Sequence, residues 1–207
     1  MSQRDILATG VRALDLALSD QQLDALMDYV GLLQKWNRVY NLTAVRDPAA
    51  MIPHHLLDSL AVVAHIPAGA LLDVGSGPGL PGIPIAIAQP QRKVDLLDSN
   101  DKKSSFARQA AGTLGLANVS VHCLRVEHWP GQARFPVIIS RAFAELRQFV
   151  TWCAPLLADD GVLAAMKGVY PETELRDLPA GFGVREAIRL DVPGLNAERH
   201  LLLIGKL

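Results

Sequence analysis

The sequence LLDVGSGPGLPGIP, residues 71–84, decides the fold. It begins with a short apolar run, interrupted only by Asp73, that is typical of a buried parallel strand. A glycine-rich turn follows at 75–79, and an apolar helical pattern starts near Ile83. Glycines in such a turn accept positive φ and leave no Cβ between the backbone and a ligand. Strand, glycine-rich turn and helix in this order predict a nucleotide-binding unit.

The turn lacks the usual devices for holding phosphate. Leu80 stands where a G-x-G-x-x-G fingerprint has its third glycine, and the lysine of a P-loop is missing. Asp98 ends a second apolar strand about 20 residues later, where a carboxylate can accept hydrogen bonds from both ribose hydroxyls. Asp73 can receive a cationic amino group or orient the loop amides. Ribose and an amino-acid tail without phosphates describe S-adenosylmethionine, which we predict as the cofactor. The alternative is a tight turn whose aspartates are merely solvated strand ends.

Composition limits the classes of protein that this sequence fits. Its 207 residues, 50% hydrophobic and 20% charged, predict one sizeable folded domain with an extension. The formal net charge of -1 means that a nucleic-acid partner needs a local basic patch. No apolar run reaches the roughly 20 residues that span a bilayer, and no apolar signal core follows the start. Two cysteines, Cys123 and Cys153, form neither a disulfide framework nor a metal cluster. We therefore expect a cytoplasmic protein without membrane attachment or metal.

Residues 1–66 are predicted to form an N-terminal helical extension, and residues 67–207 the cofactor-binding domain. A short helix is expected first, and a capping box at 19–22 then starts a longer amphipathic helix. The polar stretch 34–46 is predicted to be too broken to continue as a core helix. Asp47 is expected to cap a further helix, which Pro53 should interrupt or restart.

Strands and helices alternate from residue 69 onward. Strands are expected near 70–74, 93–98, 119–124, 136–140, 161–166, 184–191 and 200–205. Helices are expected near 81–89, 102–115, 145–156 and 171–178. This alternation predicts a doubly wound α/β sheet of seven strands.

Ligands of such sheets bind beyond the carboxyl ends of the strands, where the strand order reverses. The cofactor contacts predicted at this edge are Asp73, Gly75, Ser76, Gly77, Gly79, Leu80, Asp98, Val126 and Glu127. Arg141, after the fourth strand, lies at the same edge.

Short motifs along the chain carry a family resemblance. They are WNRVYNLTAVRDP at 36–48, HLLDSL at 55–60, DVGSGPGLPGIP at 73–84, LLDS at 96–99, RVE at 125–127, SRAF at 140–143, KG at 167–168 and ERHLL at 198–202. Over essentially its whole length the chain resembles the glucose-inhibited division protein B family, the bacterial small-subunit ribosomal RNA guanine-N7 methyltransferases. The resemblance implies a class I, Rossmann-like methyltransferase that uses S-adenosylmethionine. It also implies 16S ribosomal RNA or a precursor of the small ribosomal subunit as partner.

Three basic residues at the ligand edge are candidates for contact with cofactor or base. The resemblance places Arg141 in the cofactor region, near the methionine tail. Recognition of guanine needs donors aimed at O6, for which we predict Lys167 and, mainly by resemblance, Arg199 as catalytic residues that orient the base. A solvated charge or a weak surface ion pair is the alternative for each of the three.

A basic and aromatic stretch in the extension is typical of an RNA-binding surface. The predicted substrate-binding residues are Lys35, Arg38, Asn41, Arg46 and His55. The neighbouring Trp36 and Tyr40 have helical spacing that also fits plain packing. His55 can bond to the glycine-loop backbone or be a satisfied core histidine.

The target atom follows in part from what the sequence lacks. Methyltransferases that act on exocyclic amines carry an Asn/Asp-Pro-Pro-aromatic element where this chain has SRAF at 140–143. Methylation at cytosine C5 needs a nucleophilic cysteine, whereas both cysteines here are predicted to lie in the core. Guanine N7 has a free lone pair and needs only proximity and orientation. A small-molecule methyltransferase and a non-catalytic RNA-binding factor remain as alternatives, and we expect a monomer.

Overall fold

The computed structural model describes residues 2–141, 143 and 145–207, and within them seven strands form one sheet. The strands are β1 Leu71–Val74, β2 Val94–Asp98, β3 Val119–Cys123, β4 Phe135–Ser140, β5 Leu157–Lys167, β6 Phe182–Arg189 and β7 His200–Lys206. Their order is β3-β2-β1-β4-β5-β7-β6. Strands β1 to β5 pair in parallel, and β7 runs antiparallel to β5 and β6. The predicted doubly wound seven-stranded sheet is confirmed, and its order reverses between β1 and β4.

Helices cover both faces of this sheet. They are α1 Gln3–Ala13, α2 Asp20–Tyr40, α3 Pro48–Met51, α4 Asp58–Leu60, α5 Gly82–Ala88, α6 Asp101–Thr113, α7 Leu146–Cys153 and α8 Glu172–Leu175. A π-helical stretch occupies Ile52–Leu57, and short 3-10 turns occupy Val126–His128 and Ala154–Leu156.

Alternation along the buried strands divides the core into two layers. In β1, Leu71 belongs to the apolar cluster with α2, α5 and α6, whereas Leu72 and Val74 belong to the cluster with α7. Both faces of β1 are therefore buried, which explains its nearly continuous apolar sequence.

Helix α2 begins at the predicted capping box. Ser19 Oγ accepts from the Gln22 amide at 3.2 Å, and Gln22 Oε1 accepts from the Ser19 amide at 2.9 Å. The predicted break in the polar stretch from residue 34 is wrong for 34–40, because the helix continues to Tyr40. Trp36 packs edge-on against Phe106 at 5.6 Å, so tertiary packing outweighs the polar composition.

The chain around Pro53 stays helical, although its hydrogen-bond pattern changes. Helix α3 ends at Met51, the π-helical stretch begins at Ile52, and α4 continues from Asp58. Proline lacks the amide hydrogen of a regular helical bond, and wider π turns accommodate such positions. The predicted interruption therefore takes the form of a widened turn. It carries His55 and Asp58 into buried positions.

Two contacts attach α2 to the sheet. Tyr29, fully buried, donates its hydroxyl to the carbonyl of Pro78 in the glycine loop at 3.0 Å. Gln22 Nε2 donates to the carbonyl of Ile87 at the end of α5 at 2.8 Å. Helices of the extension thus share one hydrophobic cluster with the sheet. The division into 1–66 and 67–207 stays a prediction.

Candidate active site

The glycine loop folds back over the end of β2. The amides of Gly75 and Ser76 donate to the carbonyl of Leu97 at 2.8 and 3.0 Å. Gly77 has a φ of 56°, and a Cβ added there meets only the Cδ of Lys103, at 3.9 Å. The loop therefore presents bare backbone with open space in front of it, as a closely approaching ligand requires.

Asp73 is the buried anchor of this loop. Its Oδ2 accepts from the amide of Gly82, the first residue of α5, at 2.8 Å, and its Oδ1 has no hydrogen-bond partner among the described residues. A side chain at Gly82 would clash with Leu96 and bring its Cβ within 2.9 Å of Oδ2. Burial raises the pKa of Asp73 to about 7, although the Gly82 amide and the charge of Arg141 oppose the rise. Asp73 orients the amide at the start of α5, and its second oxygen fits an ammonium group.

Asp98 lies at the mouth of a cavity of about 140 Å³. Its Oδ2 accepts from the Gly77 amide at 2.8 Å and its Oδ1 from the Asn100 amide at 2.7 Å. The cavity is lined by Val74, Gly75, Leu97, Asp98, Ser99, Leu124, Arg125, Val126, Glu127, Phe143 and Trp152. The rings of Phe143 and Trp152 meet edge-on at 5.8 Å. An apolar wall beside a carboxylate fits adenine joined to ribose.

The cofactor-binding residues predicted after β3 differ in exposure. Val126 is buried and Glu127 is exposed, and both line the cavity of Asp98. Sequence reasoning missed Phe143 and Trp152. Their aromatic character is a signal only once the fold brings them beside β2.

A second cavity, of about 310 Å³, lies at the same edge of the sheet. Its walls are Val45, His54, His55, Asp58, Arg141, Met166, Lys167, Gly168 and Arg199. Three of the predicted basic residues, Arg141, Lys167 and Arg199, are therefore brought together. Arg141 of the SRAF motif lines this cavity, and Phe143 of the same motif lines the smaller one. Ala142 of that motif lies outside the described residues.

Asp58 links two of these basic residues. Its Oδ1 accepts from Arg199 Nε at 2.8 Å, and its Oδ2 accepts from Arg141 Nη1 at 3.2 Å. Its side chain is 2% exposed. Sequence reasoning assigned Asp58 no role. A charged residue within the apolar run at 55–60 is the signal that could have identified it.

Lys167 is held on the cavity wall by Glu174 of α8. Its Nζ donates to Oε1 and Oε2 of that carboxylate at 3.0 and 2.8 Å and to the Phe143 carbonyl at 3.3 Å. Glu174 also accepts from the Leu146 amide at the start of α7. Lys167 thus lies at the predicted site with its charge already paired. Its partner Glu174 was missed by sequence reasoning.

His55 is a core histidine on the inner wall of the larger cavity. Its Nε2 lies 2.9 Å from Thr43 Oγ1, and its Nδ1 is buried with no hydrogen-bond partner among the described residues, so the predicted bond to the glycine-loop backbone is not made. Burial, reinforced by the nearby positive charge of Arg141, lowers its pKa to about 4. The imidazole is therefore neutral at physiological pH.

The other predicted RNA-binding residues lie outside both cavities. Lys35, Arg38, Asn41 and Arg46 are exposed at and just beyond the end of α2. Arg46 Nη2 donates to Asn41 Oδ1 at 3.3 Å. Val45, the residue before Arg46, lines the larger cavity.

The described part of the chain contains no group of three or more His, Cys, Asp or Glu side chains arranged to hold a metal ion. Within 2–141, 143 and 145–207, no helix has the length and apolar character needed to cross a membrane.

Comparison with known proteins supplies the family. A family model described as rRNA small subunit methyltransferase G matches residues 22–202. Curated proteins named Ribosomal RNA small subunit methyltransferase G are similar over nearly the full length. The protein from Herminiimonas arsenicoxydans is 55% identical, over 97% of this chain and 94% of its own. The protein from Laribacter hongkongensis is 51% identical over 99% of both chains.

Solved structures share the fold at lower identity. TrmN from Thermus thermophilus superposes with a TM-score of 0.59 and 22% identity, covering 83% of this chain and 53% of TrmN. A SAM-dependent methyltransferase from Thiobacillus denitrificans, in complex with S-adenosyl-L-homocysteine, has a TM-score of 0.53 and 17% identity, covering 77% and 74%. The fold is that of class I methyltransferases, and the chain belongs to the rRNA small subunit methyltransferase G family.

Proposed function

We propose that this protein transfers the methyl group of S-adenosylmethionine to N7 of a guanine in 16S ribosomal RNA. As a member of its family it is an rRNA methyltransferase that depends on S-adenosylmethionine. The observation that carries the N7 proposal is a cavity walled by cationic N–H donors at the same edge of the sheet as the glycine loop and Asp98.

The residues at the glycine loop fit this cofactor. We assign the ribose to Asp98, the adenine to the wall containing Phe143 and Trp152, and the ammonium group to the free oxygen of Asp73. When bound, the cofactor supplies an electrophilic methyl group on a sulfonium. Arg141, between the two cavities, is assigned to the carboxylate of the methionine tail.

Guanine suits the larger cavity because its major-groove edge carries two acceptors, O6 and N7. Arg141 and Arg199 both use Nη1 within the protein, and their Nη2 groups have no hydrogen-bond partner among the described residues. An Arg199 Nη2 directed at O6 would leave N7 unbonded and open to methylation. Lys167, neutralised by Glu174, serves to fix the wall against which the base rests.

The scarcity of free general bases among the described side chains of this cavity also favours N7. Asp58 is fully engaged by two arginines, and His55 is neutral, buried and bonded to Thr43. Among the described residues that line the cavity, His54 is the one exposed imidazole. Attack by N7 requires no proton removal, so catalysis consists of holding the nucleophile in line with the methyl group.

The RNA backbone is assigned to the exposed basic residues at the end of α2, with Tyr40 as a surface on which a base stacks. Tyr40 is 44% exposed and lies 5.2 Å from the ring of Trp36. We take the partner to be 16S ribosomal RNA or a small-subunit precursor, met in the cytoplasm by a monomer without metal or membrane.

Methyl transfer from labelled cofactor to 16S ribosomal RNA, followed by mapping of the labelled base, tests the proposal. We expect one labelled guanine whose product is the alkali-labile, positively charged N7-methylguanine. Label at an exocyclic amine or at C5 would refute the assignment to N7. Activity that survives ribonuclease would indicate a small-molecule substrate, and binding without transfer would indicate a non-catalytic RNA-binding factor.

A further inference from the structure

Asp58 is a charged group in a place where charge is costly. It begins α4, is 1% exposed, and follows two buried leucines, Leu56 and Leu57. An ionised carboxylate in such surroundings persists only when it is paired and hydrogen-bonded. Its retention in an apolar helical stretch therefore depends on the cations around it.

Those cations come from distant parts of the chain. Arg141 follows β4, 83 positions away, and Arg199 precedes β7, 141 positions away. Each arginine makes a second contact with a backbone carbonyl: Arg141 Nη1 with His54 at 3.2 Å, and Arg199 Nη1 with Glu198 at 2.8 Å. Arg199 is thus held through two nitrogens, and Arg141 through one nitrogen that donates to two acceptors.

The orientation that results leaves the same group of each arginine unused. Asp58 and the two carbonyls take Nε and Nη1 of Arg199 and Nη1 of Arg141. The guanidinium plane is rigid, so the two held nitrogens of Arg199 set the direction of its Nη2, and the two bonds of Nη1 restrict that direction in Arg141. Both side chains remain about one quarter exposed, at 27% and 24%, on the wall of the larger cavity.

We propose that Asp58 is a positioning residue that aims Arg141 and Arg199 jointly, one toward the cofactor tail and the other toward the target base. The inference rests on the proposed function, which assigns those two ligands to the arginines. Asp58 itself touches neither ligand. Because one carboxylate is shared between two guanidinium cations, the cluster has a net charge of +1. The negative charge of Asp58 thereby offsets the repulsion between the two arginines.

Two substitutions separate the charge of Asp58 from its geometry. Asp58→Asn keeps the shape and removes the charge, and Asp58→Glu keeps the charge and moves it by one methylene. Misplacement on the scale of 1 Å costs about 100-fold, so we expect both variants to lower the single-turnover rate by about 10- to 100-fold at saturating RNA and cofactor. Asp95→Asn is the matched control, since Asp95 also forms a 2.7 Å pair, with His122, but lines neither cavity.

A mutant cycle distinguishes positioning from a purely structural role. If Asp58 acts through Arg199, adding Asp58→Asn to Arg199→Ala should lower the rate by much less than Asp58→Asn alone does. Equal losses in both backgrounds would overturn the inference. Full activity of Asp58→Asn per folded molecule would also overturn it. Urea unfolding measures the folded fraction for this comparison. If Asp58→Asn does not fold, Asp58→Glu decides, because it leaves both arginines paired.

Failure of the proposed function gives a different result. If the unaltered chain labels no guanine, the N7 assignment fails. The affinity for S-adenosylmethionine, measured by calorimetry, then tests whether Asp58 positions Arg141. Weaker cofactor binding in Asp58→Asn than in Asp95→Asn would support positioning, and equal binding would contradict it.

Discussion

The two cavities at the carboxyl edge of the sheet are built in different ways. The smaller one is built mainly from the glycine loop, the end of β2 and the segment after β3, which follow one another between residues 74 and 127, and Phe143 and Trp152 complete its wall. The hydrogen bonds that shape this edge join backbone amides to the Leu97 carbonyl and to the carboxylates of Asp73 and Asp98. The larger cavity gathers residues from the π-helical stretch, from α4, from the end of β5, and from the positions just after β4 and just before β7.

This contrast predicts different responses to substitution. At the cofactor edge, the shape of the backbone determines binding, so added volume should do the most damage. In the larger cavity, shared charges determine the direction of each donor, so loss of a partner should matter more than loss of volume.

Added volume at Gly77 should have the largest effect. Gly77→Val places a side chain in the open space before the loop, and we expect cofactor affinity to fall by about 100-fold or more, equivalent to about 3 kcal/mol. The positive φ of Gly77 strains any side chain there, but no neighbour obstructs the new Cβ, so we expect the fold to persist. Gly115→Val is the control, since Gly115 has a similar φ of 66° in open space away from the site. Calorimetry showing undiminished affinity for Gly77→Val would remove the cofactor from this loop.

Loss of the carboxylate at Asp98 should cost less. Asp98→Ala removes the acceptor assigned to the ribose, and we expect cofactor binding to weaken by about 1–3 kcal/mol. Asp95→Ala, on the same strand but outside the cavity, should bind as the unaltered chain does. Equal affinities for the two variants would mean that the ribose lies elsewhere.

The buried His55 should make the wall of the larger cavity sensitive to acid. Its pKa is about 4 in the folded chain and 6.5 in a free histidine, so below pH 6.5 the unfolded chain takes up a proton that the folded chain does not. Stability contributed by the neutral ring is present above pH 6.5 and is lost as the pH falls toward 4. Asp73, with its raised pKa, acts in the opposite direction over part of this range.

A variant therefore isolates the histidine. Between pH 7.5 and 5.5, His55→Gln should lose about 1.4 kcal/mol less unfolding free energy than the unaltered chain. Urea unfolding at both pH values measures this difference. The exposed His65→Gln should change nothing, and a His55→Gln curve parallel to that of the unaltered chain would exclude a buried neutral ring.

The exposed residues outside the cavities should have the smallest individual effects. Lys35→Ala, Arg38→Ala and Arg46→Ala should leave cofactor affinity intact and each reduce the salt slope of RNA binding by about 1. A control triple of Arg12→Ala, Lys93→Ala and Lys206→Ala changes the charge equally at exposed positions outside both cavities. Equal slopes for the two triples would place the RNA on another face.

The same contrast explains how far the sequence could be interpreted. The sheet and the cofactor edge were predictable, because apolar runs, glycines and strand-end aspartates are local signals. The continuation of α2 to Tyr40 was not, because packing of Trp36 on Phe106 depends on a partner 70 positions away. Asp58 and Glu174 were missed for the same reason. Their roles exist only through Arg141, Arg199 and Lys167, which the fold brings to them.

The pH dependence of methyl transfer shows whether guanine N7 attacks without a general base. If guanine N7 attacks without a base, the single-turnover rate at saturating cofactor and RNA should be nearly flat between about pH 6 and 9, in the unaltered chain and in His54→Gln alike. Arg199→Ala and Lys167→Ala should lower the rate at every pH without giving it an optimum. A rate that rises tenfold per pH unit through neutrality, or that loses such a rise in His54→Gln, would contradict the account.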